Sequence, residues 1–378
     1  QLLGLAGITS AVIPFLLVAP ALIGFKPPKV SVSPPKGLEW AFVAAYALAV
    51  LFALIGALAP STALDWDSLA YHLAVPKLWI QQGHISSIPF IHHSNFPQVV
   101  DSLFMTGLQL GGQSGAKTFS VAYLVFGLLA IVGLGRQEYG KWAGWWAGLG
   151  FVSVPLIVWE SGTAYIDVAH GLFAGLGIFF AAKLLANPDE RRWFWLAAIF
   201  LGFAAGSKYT GLQTIFAASL MLGAGLLIKK DLARAIKLGS LLGLASLAIA
   251  SPWYIRNIVW TGNPVYPFFY SKLGGRGWSD RHVIPYTHEQ NTFGVGHVPG
   301  YKDHLDAANN PIDPTRIGHA ILGLAYQPGR YVNPGQAEGN GTPLGAFGAV
   351  LLVGREAGAD RGVCRNGIGV PDVRAAQH

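Results

Sequence analysis

Long apolar runs dominate this sequence and leave few folds open to it. Eight stretches carry almost no charge: Leu2–Phe25, Leu38–Pro60, Lys117–Leu134, Trp142–Trp159, Ile166–Leu185, Trp193–Ala205, Thr210–Ile228 and Ile236–Ile255. An α-helix needs about 20 apolar residues to cross the hydrocarbon core of a bilayer. In lipid, only helices and closed barrels satisfy their own backbone hydrogen bonds. Most of the runs reach that length, and a ninth, Leu344–Val353, stops at about half of it. The sequence therefore predicts an all-α polytopic transmembrane bundle of about eight or nine spans.

Charge supports this reading and adds a direction. Only 12% of the 378 residues are charged, against about 25% in a soluble domain. A net charge of +7 on a soluble protein would suggest a nucleic-acid partner. Here the basic residues sit in short loops between apolar runs, so they report topology and no nucleic acid is expected. They gather after the odd-numbered runs, as Lys26, Lys29 and Lys36, then Arg136 and Lys141, then Lys183, Arg191 and Arg192, then Lys229, Lys230, Arg234 and Lys237. The opposite loops hold little beyond Lys77 and Lys208. The positive-inside rule places those sparse loops on the outer face. Both long polar regions fall there, and polar groups on irregular backbone are where chemistry concentrates.

The expected organisation is a bundle over residues 1–255 that includes an outer loop 61–116, an outer region 256–343, and a short segment 344–378. Composition changes abruptly near Gly354, which predicts a broken reading frame or a truncated chain. Gln1 already lies inside an apolar run, which predicts missing N-terminal residues. Cys364 is the single cysteine, so no internal disulfide framework exists.

The outer loop opens with Ala63–Lys77, where Trp66, Leu69, Ala70, Leu73 and Ala74 recur at helical spacing. This predicts an amphipathic surface helix, ended or kinked at Pro76. Asp67 and Tyr71 fall one turn apart on one side of it, and Asp65 and His72 fall two turns apart on another. An aspartate at a helix start just outside a span can act as a base or hold a cation; capping the helix is the plainer role. Asp167 opens the fifth run with His170 one turn inside, and an interfacial cap and a packing histidine are their simpler readings. Lys208 breaks the basic pattern in the tight turn Gly206-Ser207-Lys208-Tyr209, so a carboxylate or phosphate partner is expected for it.

Arg256 closes the eighth run, placed to grip a phosphate with its fork or to face headgroups. The stretch Thr261–Pro267 reads as a rigid turn. His72, His84, His92 and His93 match no metal-site spacing and read as solvated loop residues. No phosphate-binding glycine loop, paired-cysteine motif or nucleophile elbow is present.

Taken in order, Asp67-Ser68-Leu69-Ala70-Tyr71-His72-Leu73, Asn95-Phe96-Pro97-Gln98, Tyr165-Ile166-Asp167, Gly206-Ser207-Lys208-Tyr209 and the Arg256-Asn257 to Pro267 stretch resemble the GT-C class of membrane glycosyltransferases. That class includes the protein O-mannosyltransferases and the lipid A aminoarabinose transferases, and the likeness is to a bacterial branch of it. The resemblance implies a GT-C-like bundle in the inner membrane. It implies transfer of a sugar from a polyprenyl-phosphate donor to an envelope glycan, lipid or protein acceptor on the outer face. Asp67 is the position that matches the catalytic or acceptor-orienting aspartate, with Asp65, Tyr71, His72, Asp167, Lys208, Arg256 and Asn257 as substrate-binding residues. Many relatives carry a second acid directly after the first, where this chain has Ser68. Asp65 or Asp167 would supply that carboxylate, and a divalent metal is compatible with either. The competing readings are a transporter or flippase of lipid-linked sugars and an inactive, truncated member of the class.

Overall fold

The computed structural model describes residues 34–293. The first run, Leu2–Phe25, and everything from the half-run Leu344–Val353 onward lie outside the described residues. The chain divides into two compact units, residues 1–288 and 289–378, and the elements that carry the candidate site belong to the first.

Apart from one isolated bridge between Ile88 and Ile91, the described elements are all helical. They are α1 (Glu39–Leu58), a one-turn π-helix (Ser68–His72), α2 (Ala74–Gln82), a 3₁₀ turn (His92–Asn95), α3 (Val99–Tyr139), α4 (Lys141–Val152), α5 (Pro155–Ser161), α6 (Asp167–Ala186), α7 (Arg191–Ser207), α8 (Thr210–Ile228), α9 (Leu232–Thr261), α10 (Tyr270–Leu273) and α11 (Asp280–Phe293). Five of them, α1, α3, α6, α8 and α9, are long and apolar enough to cross a membrane, and α4 with α5 is so only as a pair, bent by 71° at its break. The bend falls where Pro155, which cannot donate a backbone hydrogen bond, opens a new first turn. Helix α7 has 17 residues, at the lower limit of about 17–25 for a crossing. The second to eighth predicted runs thus all appear as helices of a polytopic bundle.

Two local expectations are corrected. Pro76 neither ends nor kinks the surface helix. It sits in the first turn of α2, where a backbone N–H has no partner within the helix to lose. The polar segment before Lys117 is also more ordered than its composition suggests. Helix α3 starts at Val99 and breaks at Gly111 and Gly112, the latter at φ +61°. Only a glycine adopts that value without strain. The arm before the break stays among the loops, and the arm after it crosses. The two arms touch so closely that a Cβ at Gly115 would lie 2.3 Å from the Gly107 carbonyl oxygen.

Small residues let the spans approach, as expected where no hydrophobic effect drives helices together. Helices α6 to α9 share a core that includes Ala181, Ala198, Leu201, Ala218, Leu222 and Ala250. A second cluster joins Phe42, Tyr46 and Ala53 of α1 to Leu124, Leu128 and Trp145. Large apolar side chains such as Phe52, Phe126, Phe216 and Leu244 point outward, the pattern of a surface solvated by lipid.

The two ends of the bundle differ. One end, hereafter the basic end, holds the pairs Glu39–Lys141, Glu138–Lys183 at 2.6 Å and Asp189–Arg234 at 3.2 Å. The other, the loop end, gathers the π-helix, α2, the start of α3 and the junctions α5–α6, α7–α8 and α9–α10.

Candidate functional site

Asp67 stands at the N-terminal end of the π-helix, at the loop end, and is half-buried; its side chain makes no capping bond to the helix. Its Oδ2 accepts a hydrogen bond from the Tyr71 hydroxyl at 2.7 Å, the one-turn contact that the helical spacing predicts. Its backbone N–H donates to the Tyr165 hydroxyl at 3.4 Å. Ser68, directly after Asp67, turns inward. It is fully buried and accepts from the Ala164 N–H at 3.0 Å.

Asp65 faces elsewhere. Its carboxylate accepts from the Thr62 N–H and hydroxyl, closing the turn that precedes the π-helix, and is 5% exposed. Lys117, also buried, lies on that side and donates to the carbonyls of Gly56 and Ala59 at 2.9 and 2.6 Å, closing the last turn of α1.

His72 is not paired with Asp65. Its Nδ1 lies 2.6 Å from Asp101 Oδ1, and both side chains are almost wholly buried. This pair ties the π-helix to the first turn of α3. Sequence reading missed Asp101 because an acid in a helix first turn is ordinary.

Asp167 and Lys208 meet at 2.6 Å, with side chains 39% and 42% exposed. The predicted carboxylate partner of Lys208 is therefore Asp167, across the α5–α6 and α7–α8 junctions. Burial alone would push the Lys208 ammonium down, but Asp167 outweighs this and holds it above its ordinary value, so it stays charged. Asp67 adds to the negative field at Lys208. Glu160 is a carboxylate that sequence reading passed over, because it closes an apolar run. His170 bonds the Ala204 carbonyl at 3.2 Å and the Thr210 hydroxyl at 3.1 Å, the packing role.

Arg256 is 3% exposed. Its Nη2 donates to the Phe96 carbonyl at 2.8 Å, and its guanidinium lies over the rings of Trp253 and Trp260 at 4.4 and 4.8 Å. Asn257 donates to the Tyr209 hydroxyl at 2.9 Å and to the Pro264 carbonyl at 3.2 Å. In this geometry both residues fasten the loop end together. The turn after them is rigid as expected, with Asn263 bonding the carbonyls of Phe268 and Gly274.

The reading of His92 and His93 as solvated is corrected. Both are half-buried in a cluster of rings. His93 stacks on Tyr71 at 4.1 Å and 8°, and His92 meets Phe96, Trp278 and Tyr286. Burial pushes His92 down to about 4 and His93 to about 3. The unfolded chain binds protons near pH ~6.5 that the folded state refuses. Their contribution to stability is therefore complete above that pH and is lost as pH falls toward 4. The melting temperature in detergent is expected to drop across that window, and less steeply in His93→Phe. Parallel slopes in wild type and variant would contradict this.

Among the described residues, no three His, Cys, Asp or Glu side chains are grouped so that they could hold a metal ion.

Residues 97–255 match the family model described as dolichyl-phosphate-mannose-protein mannosyltransferase. This is the class to which the sequence motifs point, so the likeness to GT-C membrane glycosyltransferases stands on a family match as well as on motifs. The matched stretch includes Asp101, Glu160, Asp167 and Lys208; Asp67 precedes it and Arg256 directly follows. Among solved structures, the chain is similar to ArnT from Cupriavidus metallidurans bound to undecaprenyl phosphate, with 16% identity and a TM-score of 0.49. The alignment covers 84% of this chain and 61% of that one, so the chain spans less than two thirds of its length. No curated protein matches the chain.

Proposed function

We propose that this protein is a membrane glycosyltransferase that takes its sugar from a polyprenyl-phosphate donor and works at the loop end, on the outer face of a bacterial inner membrane. The observation that carries the proposal is Asp67. It is a half-buried carboxylate outside the spans, oriented by Tyr71 and within the electrostatic field of Lys208. The family match over residues 97–255 supports the donor class, and the sparse basic charge of the loop end supports the outer face.

In this reading Asp67 accepts the proton of the acceptor hydroxyl as its oxygen bonds to the anomeric carbon. The bond from that carbon to the phosphate oxygen breaks, and the lipid phosphate leaves with the electron pair. Lys208, permanently charged, meets the growing negative charge at the membrane surface. A single displacement inverts the sugar carbon. Asp167 holds Lys208 in place, and Arg256 and Asn257 hold the surrounding loops.

The test is transfer by purified protein in nanodiscs, offered radiolabelled dolichyl-phosphate mannose, other polyprenyl-phosphate hexoses and pentoses, and crude envelope acceptors. Labelled acceptor is the expected result. Movement of a labelled lipid across vesicle membranes without transfer would overturn the proposal in favour of a flippase.

A further inference from the structure

We infer that Tyr71 is a positioning residue for Asp67, rather than a substrate-binding residue, and that the stacked ring of His93 fixes it in that role. The inference rests on the reading of Asp67 as the base. The Tyr71 hydroxyl donates to Asp67 Oδ2 at 2.7 Å, which leaves Oδ1 as the oxygen free to face an acceptor. The donor and acceptor roles are not interchangeable. Burial first, and then the Asp67 carboxylate, push the Tyr71 phenol far above its ordinary range, so it keeps its proton.

The ring is held on several sides. His93 lies parallel to it at 4.1 Å and 8°, His72 is tilted against it at 4.1 Å, and Trp66 meets it edge-on at 6.4 Å. His72 is itself fixed by Asp101. The hydroxyl is therefore delivered to the carboxylate by a stack of rings that reaches from the 3₁₀ turn to the π-helix. A general base needs this kind of restraint, because small misplacements of a reacting group cost large factors in rate.

Two measurements test it. The first needs no turnover. Asp67 is labelled with a water-soluble carbodiimide and glycine ethyl ester, and the rate is read by mass spectrometry with exposed Asp189 as internal reference. Tyr71→Phe keeps the ring stack and removes only the hydroxyl, so labelling of Asp67 is expected to rise severalfold while Asp189 is unchanged. An unchanged rate at Asp67 would overturn the inference.

The second uses the donor that the transfer assay identifies. Tyr71→Phe is expected to lower kcat by about tenfold to a hundredfold, the scale of one hydrogen bond to a charged group, with KM unchanged. His93→Ala is expected to lower kcat in the same direction, and His93→Phe to restore it. A raised KM at unchanged kcat would make Tyr71 a substrate-binding residue instead. If Asp67→Asn keeps full transfer, the base reading fails, whereas the labelling result still decides what Tyr71 does to Asp67.

Discussion

Asp67→Asn is expected to fold, to bind the donor, and to lose transfer by a factor of about 10²–10⁴, the usual contribution of a general base. Asparagine has nearly the same shape. It still presents an oxygen to the Tyr71 hydroxyl, and the backbone N–H still reaches Tyr165. What it lacks is an oxygen that can take a proton. Measured kcat should therefore collapse while donor binding, read by retention of a labelled polyprenyl-phosphate sugar, stays near wild type. Asp65→Asn is the matched control. Its carboxylate serves Thr62, so the change should lower melting temperature and leave kcat within a few fold. Full transfer by Asp67→Asn, or an equal collapse in Asp65→Asn, would refute the assignment.

The second large effect falls on stability. Asp101→Ala is expected to cost about 1–3 kcal/mol, the range for leaving a buried polar partner unpaired. His72 and Asp101 are 3% and 1% exposed, so neither can replace the other with water. The ring of His72 is hemmed in by Tyr71, Phe104 and Tyr165 and cannot turn away to find another acceptor. Asp101→Asn keeps a neutral acceptor and should cost much less. A thermal melt of the three proteins in one detergent checks this, and a melting temperature unchanged in Asp101→Ala would sink it. A double-mutant cycle with His72 would separate the pair from its surroundings.

The spans were legible because the bilayer imposes one length and one polarity on every crossing. Helix α8 runs from Thr210 to Ile228, the bounds of the seventh run. Contacts along one helix turn were also legible, and Asp67 with Tyr71 is the example. The need of Lys208 for a partner could be inferred from its break with the basic pattern. That the partner is Asp167 was not, since it depends on how two junctions meet. Asp101 and Glu160 were missed, and His92 and His93 were misread as solvated, for the same reason. Each is unremarkable along the chain and becomes significant only when a distant segment buries it. Arg256 is the converse case. A cationic fork at a helix end suggests phosphate from sequence alone, but burial between two tryptophans cannot be read from spacing.

The break in α3 decides what the site can tolerate. The seam where Gly107 lies against Gly115 and Ala116 has no room for a single methyl group. The angle between the arm that bears Asp101 and the arm embedded in lipid is thus set by atoms that are missing rather than by bonds that are made. A Cβ at Gly115 would lie 2.3 Å from the Gly107 carbonyl oxygen, so even one alanine there forces the seam to open, and Asp101 rides on one of the two arms that meet at it.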